Sequence, residues 1–352
     1  IFDQMGESPL PTQILDLKIC DPAMGSGAFL VEACRQLAEK LVESWAAHGI
    51  KPYIPPDEDE LLHARRLVAQ RCLYGVDKNP MAVDLAKLSL WLTTLAKDHP
   101  FTFVDHSLRC GDSLVGLTRK QIASFHWDTS KKDALNRLGL QDKQGTEIEA
   151  RIKRAGEFRK AILEAGDTML PGMKQHKLKE ADTALNFVRL IGDSCLGAFF
   201  SQSKKKQRNE RCDELFAALS GYLEDKTLLE LRKVVADSAD LLAVGPNPLT
   251  TFHWEIEFPE VFANESCGFD AFVGNPPFAG KNTLASGNKQ GFPDWLKEIH
   301  EKSHGNSDLV AHFFRRCFTL IKQHGTLGLI ATKTEARSIL LSAVKNGQAK
   351  PQ

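Results

Sequence analysis

The chain has 352 residues, of which 42% are hydrophobic and 26% are charged, and its 45 Lys and Arg residues balance 45 Asp and Glu residues. This composition is typical of a folded globular protein and excludes disordered, collagen-like and miniature disulfide-rich proteins. No apolar run approaches the ~20 residues of a membrane span, and the first residues lack a basic and apolar leader, so we expect a cytoplasmic protein without a membrane segment.

Short apolar runs alternate with helical patterns in the first third of the chain. Residues 14–20, 72–76 and 101–104 are predicted strands, and a helix is predicted after Gly27 and before each later run. The helix at 81–95 is apolar almost all round, so we expect it to be buried against the sheet. This alternation predicts a parallel, doubly wound α/β sheet with its ligand crevice at the carboxyl ends of the strands.

The pattern then changes and later resumes. Residues 119–243 are rich in Lys, Arg, Glu, Ala and Leu and contain no convincing strand, so they are predicted to be a mostly helical insertion. A strand is predicted at 269–273. We expect a helix from Leu309 to about Gln323, closed by Gly325, and a strand at 326–332.

The eight cysteines are scattered, with no C-x-x-C pair and no Cys/His cluster at zinc spacing. They are predicted to be reduced and mostly buried thiols, and no metal site is expected.

A glycine-rich turn runs from Asp21 to Gly27, where a predicted strand meets a helix. Glycines let the backbone turn tightly and let a ligand approach main-chain N–H groups. The Gly-Lys-Ser/Thr ending of a P-loop is absent, and Leu30 stands where a dinucleotide fingerprint has its third glycine. Phosphate binding is therefore disfavoured, and a turn without a ligand remains an alternative.

Acidic residues end three successive predicted strands: Asp21, Asp77 and Asp112. Each alone is readily explained as a loop carboxylate or cap. Together they are expected to point into one crevice, where a carboxylate such as Asp77 accepts hydrogen bonds from ribose hydroxyls.

Asn275-Pro276-Pro277-Phe278 is the sharpest motif. The two prolines fix an extended backbone and lack N–H donors, so the local carbonyls stay available as acceptors. The Asn275 amide and the Pro276 carbonyl suit the two N–H bonds of an exocyclic amine, and Phe278 offers a face for stacking. A simple Pro-Pro turn is the alternative.

These motifs resemble those of S-adenosylmethionine-dependent DNA adenine-N6 methyltransferases of the class whose cofactor motif is amino-terminal. The matching segments are D-P-A-x-G-S-G-x-F-L at 21–30, G-V-D-x-N-P at 75–80, G-D-S-L at 111–114 and G-N-P-P-F at 274–278. The sequences of residues 252–262, 303–309 and 328–332 resemble those of large methylase subunits of restriction-modification and phage-defence systems, of which the DISARM and BREX types are examples.

The resemblance implies a Rossmann-like class I methyltransferase fold, the cofactor S-adenosyl-L-methionine, and double-stranded DNA and other defence or restriction subunits as partners. The cofactor-binding residues that it implies are Asp21, Pro22, Ala23, Gly25, Ser26, Gly27, Phe29, Asp77, Lys78, Asp112 and Ser113. The catalytic residues that it implies are Asn275, Pro276, Pro277 and Phe278, which would hold an adenine flipped out of the duplex. Asp308 would assist in the pocket.

We divide the chain into a cofactor-binding half at 1–118, the helical insertion at 119–251 and a catalytic half at 252–352, which we interpret as truncated relative to the family. Lys333-Thr334 departs from the Asn-Thr of the family. Two other functions remain open: methylation of a protein glutamine amide, since release-factor methylases share Asn-Pro-Pro with an aromatic, and a non-catalytic DNA-binding scaffold with the same fold.

The zero net charge is an average over two opposed regions. Residues 119–211 hold 20 Lys and Arg against 12 Asp and Glu, which leaves 25 against 33 elsewhere. We expect the basic insertion, including Lys204-Lys205-Lys206-Gln207-Arg208, to lie along the DNA backbone beside Asn275. A solvated charged helix face is the alternative.

Overall fold

The computed structural model describes residues 5–50, 52–54, 59–95, 102–131, 134, 137, 142–166, 169–263, 267–300 and 308–331. The first half contains α1 (Pro11–Leu15), β1 (Ile19–Asp21), α2 (Ala28–Ala47), α3 (Glu60–Arg71), β2 (Leu73–Asp77), α4 (Pro80–Thr93) and β3 (Leu108–Cys110). The middle contains α5 (Arg119–Ala123), α6 (Asp142–Ala165), α7 (Pro171–Ser201), α8 (Lys205–Glu224) and α9 (Leu229–Asp240). The last part contains α10 (Trp254–Glu257), β4 (Phe269–Gly274), α11 (Lys281–Ser286), α12 (Phe292–Ile299), α13 (Leu309–Leu320) and β5 (Ile321–Leu329).

The five strands form one sheet in the order β3-β2-β1-β4-β5. Every neighbouring pair is parallel. The chain order reverses between β1 and β4, and a crevice opens at such a point beside the carboxyl ends of the strands. The predicted doubly wound α/β fold is confirmed.

Alternate strand residues pack on opposite faces of the sheet. Ile19, Leu73 and Ala271 belong to a core that includes residues of α2, α3 and α4. Their neighbours Cys20, Tyr74 and Phe272 belong to a second core, in which aromatic rings meet edge to face. A third core joins the helices of the insertion to α12 and the start of α13.

Two predicted strands in the first half were placed wrongly. Ile14 and Leu15 lie in α1, and β1 is only three residues long. The described part of the 101–104 run is a buried loop, because the Val104 carbonyl accepts the N–H groups of both Ser107 and Leu108 in a turn. The third strand therefore starts at Leu108.

The predicted boundary between the last helix and strand was also wrong. β5 begins at Ile321, directly after α13, and Gly325 lies inside it instead of ending the helix. The register shifts between the Phe269–Ile321 and Ala271–Thr326 pairs, so the intervening residues form an irregular bulge that sequence periodicity does not reveal. Residues 332–334, which include Lys333-Thr334, lie outside the described residues.

Helix α4 is only partly buried, contrary to the expectation from its composition. Val83, Ala86 and Leu90 pack in the core. A stripe on another face is exposed, with Met81 at 71%, Leu92 at 58% and two leucines between them about half exposed. A helix on a sheet presents one face to it, so an apolar composition alone does not predict full burial.

All eight cysteines are unpaired, and Cys110 and Cys267 are the exposed ones. Within the described ranges, His, Cys, Asp and Glu residues form no group of three or more that could hold a metal ion. In the same part of the chain, no helix is both long enough and apolar enough to cross a membrane.

Candidate active site

The turn between β1 and α2 has the left-handed backbone that its glycines predict. Gly25 and Gly27 have φ values of +52° and +84°. The N–H of Met24 donates to the Val76 carbonyl at 3.0 Å, which lays the turn across β2. Gly75 lies beneath, where a Cβ atom would overlap the Met24 sulfur, so the turn and β2 fit only because that residue is glycine.

Asp77 joins this turn to the end of β2. Its Oδ2 accepts the N–H of Gly25 at 3.0 Å, and its Oδ1 accepts the N–H of Asn79 at 2.8 Å. The carboxylate is partly exposed and retains lone pairs for a further donor.

The loop after β3 carries Asp112 and Ser113. Asp112 is 8% exposed, its Oδ1 accepts the Leu114 N–H at 2.9 Å, and burial raises its pKa. The Ser113 hydroxyl donates to the Pro22 carbonyl at 2.5 Å. The segments that follow β1 and β3 are therefore hydrogen-bonded to each other across the end of β2.

A cavity of about 260 Å³ lies at the carboxyl ends of the strands. The sequence-predicted residues that line it are Pro22, Ala23, Asp77, Lys78, Asp112, Ser113, Asn275 and Pro277. The carboxylates of Asp77 and Asp112 and the Asn275 amide thus face one space. Asp21, which was expected to face it as well, is not among the lining residues.

Other predicted site residues lie outside that lining. Gly25, Ser26 and Gly27 form the turn behind it, and Phe29 is 36% exposed on α2. Pro276 is buried, and Phe278 is 49% exposed beyond the cavity lining.

Asp21, the last residue of β1, is buried beside Gly274 at the end of β4. It is 1% exposed, its Oδ1 accepts the Ala23 N–H at 3.0 Å, and its Oδ2 has no hydrogen-bond partner. Burial raises its pKa to about 7. Gly274 leaves room for it, since a Cβ at that position would lie 2.5 Å from Asp21 Oδ1. A buried acceptor without a donor is a place where a cationic ligand nearby would be stabilised.

The Asn275–Phe278 loop is held at both ends. Before it, the Gly274 carbonyl accepts the Ile330 N–H at 3.0 Å. After it, the Ala279 N–H donates to Asp308 Oδ1 at 3.2 Å, and the Ala279 carbonyl accepts the Leu309 N–H at 3.1 Å. Asp308 also caps α13 by accepting the Val310 N–H. It therefore bonds to the backbone behind the loop and does not line the cavity.

One wall of the cavity was missed by the sequence reasoning. It consists of Asn288, Phe292, Leu309 and Phe313. Leu309 and Phe313 are four residues apart on α13, so they share a face. That spacing is equally typical of ordinary core packing, which is why it carried no signal of a site.

Comparison with known families settles the class of the chain. A family model described as the Eco57I restriction-modification methylase matches residues 71–337. The chain belongs to this family. A model of the DNA-methyltransferase domain of MmeI matches residues 7–119. The Eco57I-type chain is also 24% identical, over 89% of its length, to a putative type II restriction enzyme and methyltransferase of Methanocaldococcus jannaschii. It spans 26% of that relative.

Membership of the Eco57I family identifies the chain as a methyltransferase of the restriction-modification type, and a methyltransferase requires a methyl donor. The suspected family is therefore confirmed at this level.

Proposed function

We propose that the chain transfers a methyl group from S-adenosylmethionine to the N6 amine of an adenine in double-stranded DNA, as the methylase of a restriction-modification or phage-defence system. The observation that carries this proposal is the shared cavity. The partly exposed Asp77 and the buried Asp112 line it together with Asn275, so a cofactor and a target amine would meet there.

The residues present suit S-adenosylmethionine. Asp77 retains acceptor capacity for ribose hydroxyls, Asp112 is a buried acceptor for an exocyclic amine, and the apolar Phe313 and Leu309 offer a wall for a purine. The unpartnered Asp21 Oδ2 would favour the positively charged methionine end nearby. The cofactor, when bound, supplies a methyl group on a positively charged sulfur.

The chain's own groups would prepare the target amine. The Asn275 side-chain carbonyl and the Pro276 carbonyl accept its two N–H bonds, which draws the nitrogen toward tetrahedral geometry and frees its lone pair. Stacking on the exposed ring of Phe278 returns roughly 1 to 3 kcal/mol of the cost of flipping the base. The hydrogen bonds at both ends of the loop fix these groups, so positioning supplies much of the rate.

DNA would contact the basic run at the start of α8. Lys206 is an exposed residue of that run, and Lys205 pairs with Glu298 of α12 at 3.3 Å. Arg208 is buried, ion-paired with Asp294 at 3.1 Å. Because α12 begins at Phe292 in the cavity wall and also carries Glu298, we infer that the basic run lies on the cavity side of the insertion.

Only part of the insertion lies on that side. Lys153 and Lys160 of α6 line a different groove, at the amino ends of the strands. We therefore limit the proposed backbone contact to residues 204–206, whose side chains are exposed, and exclude Arg208, whose guanidinium is buried and engaged in the protein. Partner subunits and DNA sequence recognition belong to the longer system of which such methylases form part.

The direct test is transfer of labelled methyl from S-adenosylmethionine to DNA that lacks adenine methylation, followed by analysis of the modified base. We expect N6-methyladenine, a loss of at least about 100-fold with Asn275→Ala, and retained cofactor binding. Asn186→Ala is the matched control, since Asn186 is exposed on α7 away from the cavity.

Other outcomes contradict the proposal. Label on protein and none on DNA would favour glutamine methylation. Absence of cofactor binding would favour a scaffold.

A further inference from the structure

The segment Thr250–Trp254 holds the loop at residues 111–117, which carries Asp112. We call residues 111–117 the cofactor loop and Thr250–Trp254 the clamp. The Asp112 N–H donates to the Thr250 carbonyl at 2.7 Å, and the Phe252 N–H donates to the Val115 carbonyl at 2.7 Å. The Trp254 indole N–H donates to the Ser113 carbonyl at 2.9 Å. The backbone of the cofactor loop is thus bonded at three points to one segment more than 130 residues later.

The contact is also sterically close. A Cβ on Gly116 would overlap the Phe252 carbonyl oxygen, and a Cβ on Gly111 would lie 2.7 Å from the Phe252 ring. Ordinary Cβ atoms do not approach so near, so the two segments fit because both loop residues are glycine. A displacement of the clamp would therefore move the cofactor loop with it.

His253 extends this clamp into the insertion. Its Nδ1 receives the Leu117 N–H at 2.9 Å, and a backbone N–H can only donate. Nδ1 is therefore the unprotonated nitrogen, and Nε2 carries the hydrogen that it donates to Asp193 Oδ1 at 3.1 Å. Asp193 lies on α7, and its Oδ1 also accepts the Thr251 hydroxyl.

The His253 side chain is tightly packed. It is 1% exposed, and its ring lies against Gly192, where a Cβ would come within 2.6 Å of it. Asp193, by contrast, has a side chain that is 27% exposed and can be replaced without filling or emptying the core.

We propose that Asp193 and His253 are positioning residues for Asp112, so that helix α7 of the insertion sets the affinity of the cavity for the adenine of the cofactor. This inference rests on the proposed function, in which Asp112 accepts the adenine amine. Asp193 fixes the ring and the tautomer of His253, His253 fixes Leu117, and the clamp fixes the loop that aims the Asp112 carboxylate.

The test measures base selectivity, which a merely structural role would not change. Binding of S-adenosylhomocysteine is compared by calorimetry with binding of its analogue that has an unsubstituted purine without the 6-amino group. The native chain is expected to prefer the adenine form by roughly tenfold, the effect of one hydrogen bond to a charged group.

Asp193→Ala is expected to reduce that preference several-fold while affinity for the analogue changes little. Asp193→Asn keeps an acceptor for His253 and Thr251 and is expected to restore the preference. If Asp193→Ala does not fold, His253→Asn serves, because it keeps an acceptor near the Nδ1 position for Leu117 but does not reach Asp193. That variant is expected to lose the preference as well.

Equal loss of affinity for both ligands, or an intact preference in the Asp193→Ala and His253→Asn variants, would overturn the inference. Failure of the proposed function looks different. There, the native chain would bind neither ligand, or Asp112→Ala would retain the preference.

Discussion

The two edges of the sheet offer cavities of very different size, and the smaller one is the candidate site. At the carboxyl edge the cavity holds about 260 Å³, whereas the groove between α6 and the amino edge holds about 1330 Å³. The amino-edge groove contains both signs of charge, including Lys18, Lys322 and Glu157. Volume therefore does not distinguish the site from the groove.

The polar groups at the two edges differ in what engages them and in where they converge. At the amino edge, the Lys18 ammonium donates to the Arg71 carbonyl at 2.9 Å, and Lys322 pairs with Asp270 at 2.9 Å. At the carboxyl edge, Asp77 lines the cavity and binds only backbone N–H groups among the bonds described. A carboxylate oxygen without a partner occurs at both edges, on Asp21 and on Glu260 of the amino-edge groove. The better sign of a ligand site is therefore the convergence of Asp77, Asp112 and Asn275 on one cavity at the carboxyl edge.

The largest expected effect compares one aspartate at each edge. Asp77→Ala removes two backbone hydrogen bonds and the proposed ribose acceptor, and we expect cofactor affinity to fall by about 100-fold. Asp270→Ala at the amino edge removes bonds to the Lys18 N–H and the Lys322 ammonium. It is expected to lower stability and leave cofactor affinity unchanged, as measured by calorimetry. Equal affinity losses would remove the distinction between the edges.

The next effect concerns the pH dependence of stability. The pKa of Asp21 is about 7 in the folded chain against an ordinary value of 3.8, so the folded state binds the proton more tightly. Stability from this group is therefore lost as pH rises from about 4 to 7. The variant Asp21→Asn keeps the acceptor for Ala23 but cannot ionise. Its free energy of unfolding, relative to that of the native chain, should therefore be roughly 2 to 3 kcal/mol higher at pH 8 than at pH 5. Urea unfolding at both values checks this, and parallel changes in the two proteins would contradict it.

The smallest effect compares basic residues on the two sides. Changing Lys204, Lys205 and Lys206 to Ala should reduce the slope of log affinity against log salt for DNA binding by up to about 2.7, or 0.9 per phosphate contact. The charge-matched control changes Lys153, Arg154 and Lys160 of α6 to Ala, and its slope should stay native. Fluorescence titrations at four salt concentrations suffice, and the reverse result would move the DNA contact to the amino edge.

Local signals explain why the sequence could place several candidate residues at one edge of the sheet. The glycines of the β1 turn, the acidic strand ends and Asn275-Pro276-Pro277 each constrain the backbone within a few residues, and parallel strands bring their carboxyl ends to one edge. The wall formed by Phe292 and Phe313 depends on tertiary packing, so its residues resemble any core aromatics.

The errors have the same origin. The bulge in β5 arises from pairing with β4, and the burial of Arg208 arises from Asp294 of α12 and from the Phe199 ring, 4.1 Å from its guanidinium carbon. Strand β4 and Asp294 are both distant in sequence from the residues that they contact, and Asp294 is 86 residues from Arg208. A run of basic residues predicts exposure on average but does not identify the member that pairs internally.

The core shared by the insertion and α12 has a consequence for folding. Trp295 packs edge to face on Phe199 of α7 at 5.2 Å, and its indole N–H donates to the Leu114 carbonyl in the cofactor loop at 2.9 Å. One buried indole of α12 therefore contacts both helix α7 of the insertion and the loop after β3. We therefore expect the insertion and the cavity to unfold as one cooperative unit, and excising the insertion helices to remove packing that supports the loop after β3.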